Sequence, residues 1–211
     1  MALLGWNPGD EREILLKEEI INEFSLEKIQ KSGAVFDIVK LDWLNGEYIR
    51  QKSVKELVEL SLPYLRKSNF LFGKSDFQKL GKIIALEQPR LKKLSEIGEK
   101  TEYFFKEPEY DKELLRWKNM KDDEIRLSID KSEELLQKKL SKSNFDNKYL
   151  EKMFMEEIGG GDKGAILWPL RVALTGRKAS PGPFEIMEIL GIEETKKRLL
   201  AAKENLRGRA S

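Results

Sequence analysis

The chain contains neither cysteine nor histidine among its 211 residues. The first absence removes thiol nucleophiles and disulfides. The second removes imidazole bases, and the two together remove every zinc site of the usual ligand types. A cysteine-free chain fits a reducing compartment, so a cytoplasmic protein is expected. No run approaches ~18 apolar residues, so neither a helical membrane span nor a membrane partner is expected. The N-terminus lacks a charged region followed by an apolar one, so no signal peptide is visible. Strand signals are also scarce: no sustained alternation occurs, and Asn45-Gly46 lies between helical patterns rather than between β-branched runs.

What the chain does have is helix signal and charge. Hydrophobic residues make up 40% and charged residues 36%, yet the net charge is only +2. That suffices for a packed core and argues against global disorder. The pI of about 8.5 falls short of a typical nucleic-acid module. The charge is uneven, however: residues 161–211 carry 10 Lys+Arg against 6 Asp+Glu, while the remainder carries 29 against 31. A polyanion should therefore favour the C-terminal end.

Ser25 is placed to cap a short segment at Leu26-Glu27-Lys28, and Asp37 to cap a helix running to about Gln51. Ser53 with Glu56 forms a capping-box pattern for a helix from Val54 to about Leu62, ended or kinked by Pro63. Val54, Leu57, Val58 and Leu62 fall near one face of it. A further helix spans about 75–87 and stops near Pro89. Asp111, Lys121 and Ser132 mark the starts of three charged helices between 111 and 141. Leu150, Met153, Phe154 and Ile158 form a core stripe within 146–158. The last helices cover about 163–175, 182–190 and 193–206. The fold class is all-α, in several small bundles. Polar interruptions near 52 and 102 divide the chain into 1–52, 53–102 and 103–211. Leu3-Leu4-Gly5-Trp6 reads as the end of a helix whose start is missing, so a piece of a longer protein is expected.

Gly159-Gly160-Gly161-Asp162-Lys163-Gly164 follows a helix and lacks the spacing of a phosphate cradle; it is read as a helix cap and turn. Acidic runs such as Glu18-Glu19 and Asp122-Asp123-Glu124 are read as solvated helix faces, and no acid/base pair can be defended. Trp43 and Tyr48, on one helix, are read on general grounds as core residues. Arg90 follows Pro89 in a turn where it can point outward. More telling is Leu167-Trp168-Pro169-Leu170-Arg171-Val172-Ala173-Leu174-Thr175, an apolar helix with one internal arginine. An arginine there needs a partner, either a carboxylate of the fold or a polar group of a ligand. The loop after it, Arg177-Lys178-Ala179-Ser180-Pro181-Gly182, is positively charged and offers backbone and short side chains to a flat group such as an exposed base.

Two blocks carry a family resemblance. They are Val35-Phe36-Asp37 through Leu41-Asp42-Trp43-Leu44-Asn45-Gly46-Glu47-Tyr48-Ile49-Arg50, and Pro169-Leu170-Arg171-Val172-Ala173-Leu174-Thr175-Gly176 with Ser180-Pro181-Gly182 and Phe184-Glu185-Ile186. In order and spacing they resemble the C-terminal half of bacterial glutamyl-tRNA synthetases, and the resemblance covers essentially the whole chain. It implies a stem-contact domain at 1–52 and two α-helical anticodon-binding subdomains, at 53–102 and 103–211. It implies tRNA-Glu as partner, with Arg90, Arg171, Ser180, Pro181 and Pro183 at the anticodon and Lys40, Trp43 and Arg50 at the inner stem. Arg177 and Lys178 are expected to attract phosphates. The family's catalytic domain, which uses ATP and Mg, is not represented, and a chain without histidine cannot hold its His-Ile-Gly-His-type motif. A non-catalytic monomeric fragment without cofactor, partnered by the rest of its own polypeptide, is therefore expected. The rival expectation is an all-α protein-interaction module that ignores RNA sequence.

Overall fold

A computed structural model describes residues 3, 5–30, 35–68, 77–139 and 145–207. Among these residues the regular structure is helical, apart from a single antiparallel bridge between Trp6 and Ile29. The ten α-helices are α1 (Lys17–Glu23), α2 (Ile38–Gln51), α3 (Val54–Lys67), α4 (Phe77–Glu87), α5 (Ile97–Thr101), α6 (Asp122–Lys139), α7 (Asn147–Ile158), α8 (Lys163–Thr175), α9 (Pro183–Leu190) and α10 (Ile192–Leu206). Short 3-10 turns lie at Leu26–Lys28, Gln88–Arg90, Leu94–Glu96, Glu102–Phe104 and Lys112–Leu115. None of these helices is long and apolar enough to cross a membrane.

The caps explain where the helices begin. The Asp37 carboxylate accepts from the backbone N–H groups of Val39 and Lys40, and Asp146 and Asp162 do the same for α7 and α8. Ser53 accepts from the Glu56 N–H at 3.2 Å, while the Glu56 carboxylate turns to Lys52 instead of closing a capping box. Asp111 caps only a 3-10 turn. Gly159 ends α7, its N–H donating to the Met155 carbonyl, so the glycine run is a helix stop.

Three further expectations need correction. Pro63 does not end α3, which continues to Lys67. The carbonyl it leaves without an N–H partner is that of Glu59, an exposed residue, where water can replace the missing donor. Ser132 starts no helix: it is buried inside α6, and its hydroxyl donates to the Ser128 carbonyl. A serine in mid-helix can satisfy itself on the preceding turn, so its cap propensity yields to the continuous apolar stripe around it. Trp43 and Tyr48 are not core residues; they are 44% and 38% exposed.

Two apolar clusters form the interior. One gathers Ile49, Leu57, Val58, Leu65, Leu80, Ile84, Leu91 and Ile97. The other is larger and includes Ile83, Tyr103, Phe104, Ile125, Ile129, Phe154, Leu170, Leu174, Phe184, Met187 and Leu199. Helix α4 serves both, sending Leu80 and Ile84 into one and Ile83 into the other, and Phe105 packs against both. Pro169 sits within α8, which tolerates it because the Ala165 carbonyl four residues back accepts from the Ser128 hydroxyl at 2.8 Å.

Candidate nucleic-acid interface

The turn Gln88-Pro89-Arg90 that follows α4 is built against the end of α2. The Gln88 side-chain amide donates to the carbonyls of Ile49, Arg50 and Lys52 at 2.9–3.1 Å, closing off the C-terminus of α2. Arg50 reaches the Pro89 carbonyl at 3.5 Å and pairs with Glu47. Gly46 makes this approach possible: a Cβ there would stand 3.1 Å from the Leu91 carbonyl and 3.2 Å from the Arg50 guanidinium. Arg50 is thus joined to the turn that carries Arg90. Lys40 and Trp43 lie farther back on α2, about 15 Å from Arg50 for Lys40 at 1.5 Å per residue. Lys40 pairs with Glu13 at 2.5 Å, and the Trp43 ring is open to solvent.

Arg90 does not simply point outward. It is half-buried, and its Nη1 is buried with no hydrogen-bond partner among the described residues. A buried guanidinium nitrogen without an acceptor is costly, and turning the Arg90 side chain to meet a ligand acceptor would relieve that cost. Three residues earlier the Glu87 carboxylate is buried and accepts from the Tyr103 hydroxyl at 2.8 Å. Burial pushes the Glu87 carboxyl above its ordinary range; the Tyr103 hydrogen bond and the charges of Arg90, Lys100 and Arg177 oppose this. Glu87, Arg90, Glu96, Glu99, Lys100, Arg177 and Ala179 line one concavity of about 310 Å³. It offers hydrogen-bond donors and acceptors side by side, as the edge of a nucleobase requires.

The opposite wall belongs to the loop after α8, through Arg177 and Ala179. Arg171 lies over the Trp168 ring, its guanidinium carbon 4.7 Å from the ring centroid, and donates to the Lys178 carbonyl at 3.0 Å. Trp168 is held in turn by Trp117, 5.5 Å between centroids, and donates to the Leu114 carbonyl at 2.8 Å. The partner of the internal arginine is therefore a carbonyl and an indole face rather than a carboxylate. Desolvation, then the nearby positive charge of Arg90, lower the Arg171 pKa from its ordinary value. The two arginines are close enough to feel each other although 81 positions separate them in sequence.

Gly176 ends α8 in the left-handed conformation, φ +65°, and a Cβ there would meet Pro108 and Tyr110 at 3.0 Å. Arg177 then turns back across the molecule, donating to the Glu99 carbonyl at 2.6 Å. Lys178 and Ala179 are exposed and Ser180 half-buried, its hydroxyl donating to the Pro181 carbonyl at 3.0 Å. Pro181 and Pro183 are buried; Pro183 opens α9 and shapes the loop from beneath. The structure thus brings Arg90, Arg171, Arg177 and Lys178 to one side, with Arg50 attached through the turn. Sequence reading missed Glu87, Tyr103 and Gln88. Only Gln88 carried a local signal, as the polar residue closing a helix before proline.

Residues 56–203 match the family described as an anticodon binding domain. The chain belongs to that family. It is 40% identical over 210 residues to a glutamate–tRNA ligase of Clostridium tetani, covering 98% of this chain and 42% of that protein. It is 38% identical over 202 residues to the Clostridium kluyveri ligase, covering 94% and 40% respectively. Among solved structures it superposes on a glutamate tRNA ligase from Elizabethkingia meningosepticum, crystallised with its amino acid, with a TM-score of 0.80. That match has 28% identity and covers 97% of this chain and 40% of the other. The chain thus spans about two-fifths of the length of these relatives.

Proposed function

We propose that this chain is the tRNA-binding part of a glutamate–tRNA ligase, reading the anticodon and inner stem of tRNA-Glu in the cytoplasm. In this reading it acts as a monomeric unit of its polypeptide, without catalysing aminoacylation. ATP and Mg²⁺ are handled by the catalytic part outside this chain.

The observation that carries the reading is Arg90. Its Nη1 is buried with no hydrogen-bond partner among the described residues, and Arg90 lines a concavity shared with the loop that follows Arg171. Anticodon bases are unstacked and expose their Watson–Crick edges, and a pyrimidine O2 is an acceptor suited to a guanidinium donor. Arg171, stiffened by Trp168 and the Lys178 carbonyl, supplies the second such group, with Ser180, Pro181 and Pro183 of the following loop assigned to the same anticodon site. Lys178 is exposed and suited to phosphate. Lys40, Trp43 and Arg50 on α2 are assigned to the inner stem, where the exposed Trp43 ring offers a stacking face.

The test is fluorescence anisotropy with tRNA-Glu transcript beside one of altered anticodon, at two salt concentrations. Salt-sensitive binding that weakens when the anticodon changes is expected. Equal binding to both transcripts would reduce the chain to a generic polyanion surface, and binding to neither transcript at either salt concentration would favour a protein-interaction module.

A further inference from the structure

Arg177 sits in the positively charged loop, where a phosphate contact is the first thought, yet its guanidinium is occupied. Nη2 donates to the Glu99 carbonyl at 2.6 Å and lies 3.6 Å from the Glu102 carboxylate; Nη1 lies 3.8 Å from the Glu99 carboxylate. The guanidinium also stands over the Tyr103 ring, 5.8 Å from its centroid. Tyr103 is buried and donates to Glu87, the residue that closes α4 immediately before the Arg90 turn. One continuous set of contacts therefore runs from the loop after α8, through α5 and the turn after it, to the base of Arg90. The planar fork bonds a carbonyl and stays within ion-pair distance of two carboxylates while covering a ring, which an ammonium cannot reproduce.

Building on the anticodon-reading function, we propose that Arg177 is a positioning residue: it straps the 176–180 loop to residues 99–103 and so fixes the distance between the two base-reading arginines, Arg90 and Arg171. It acts on specificity without touching RNA. The loop carries the Lys178 carbonyl that orients Arg171, and the strapped segment carries the Tyr103 hydroxyl that orients Glu87 beside Arg90. Releasing the strap leaves both arginines present and lets their spacing drift.

The decisive variant is Arg177→Lys, because it keeps the charge. A strap predicts that discrimination between tRNA-Glu and the altered-anticodon transcript falls by about fivefold or more, the lower end of ordinary coupling between sites. The dependence of affinity on salt should stay unchanged. A phosphate contact predicts the reverse: Arg177→Ala lowers the salt slope by about one and Arg177→Lys restores it, with discrimination intact. That result would overturn the proposal. A second measurement needs no RNA. Because the chain has no cysteine, Ser95→Cys with Lys178→Cys takes two spin labels and no others. The inter-label distance distribution should broaden in Arg177→Lys and Arg177→Ala, and an unchanged distribution would also overturn the strap. If the wild-type chain shows no anticodon preference at all, the function reading fails while the distance measurement still decides the strap.

Discussion

At the scale of single residues the chemistry concentrates on a few groups whose partners are incomplete or costly. Arg90 has a buried donor without an acceptor among the described residues, so Arg90→Gln should relax selectivity at one anticodon base by about tenfold, the loss of one hydrogen bond to a charged group. Competition between transcripts differing at single anticodon positions measures this, and an unchanged preference would remove Arg90 from the reading set. Glu87 behaves differently. Its folded pKa is raised above the ordinary 4.5, first by burial, so its contribution to stability is full below that value and is lost as pH rises through the folded pKa. Glutamine keeps an acceptor for Tyr103 and carries no charge. Melting curves should therefore show Glu87→Gln gaining on the wild type as pH climbs from about 4.5 towards neutrality; a gap that shrinks with rising pH would contradict the assignment. Arg171 was legible in sequence because an arginine inside an apolar helix demands a partner. Which partner it takes was not, since the Trp168 ring is local but the Lys178 carbonyl depends on how the loop folds back. Glu87 and Tyr103 were invisible because their meeting depends on how the chain turns between α4 and α5.

At the scale of elements, local rules decided most helix starts and few of the irregularities. The aspartate caps at 37, 146 and 162 are sequence-local, and each is found accepting the N–H groups that its position offers. Asp37→Ala should cost about 1 kcal/mol, detected as a lower denaturation midpoint with an unchanged slope. Local reading stopped α3 too early at Pro63, whereas it carried α8 through Pro169. Pro63 and Pro169 both sit inside helices; the carbonyl that Pro63 leaves unpaired belongs to the exposed Glu59, open to water, and the one that Pro169 leaves accepts from Ser128. Ser128→Ala should therefore destabilise the chain by about 1–3 kcal/mol, more than an average serine deletion, because it orphans the Ala165 carbonyl. The same substitution at the exposed N-cap Ser53, which loses only a cap, offers a control of about 1 kcal/mol. No pattern in the residues around Pro169 announces this arrangement; α6 has to be packed on α8 before the hydroxyl can reach.

At the scale of the whole molecule, burial and charge are distributed unequally, and each inequality has a consequence. The two apolar clusters draw on α2 through α10, whereas α1 buries no residue. Eleven large hydrophobic side chains between Leu16 and Tyr48 remain exposed. With so little buried area holding it, α1 should open locally at a small fraction of the global unfolding free energy. Hydrogen exchange followed residue by residue should find the α1 amides exchanging first and those of α6 and α8 last. Comparable protection of α1 and α8 would mean that surface outside the described contacts holds α1 in place. The charge asymmetry acts on binding instead. An excess of basic residues in 161–211 draws a polyanion to the side where Arg171 and Lys178 stand. Lys178→Ala should accordingly weaken binding to every transcript by a similar factor and reduce the salt slope by about one, because a phosphate contact carries no information about the base. A loss confined to the correct anticodon would instead place Lys178 among the residues that read sequence.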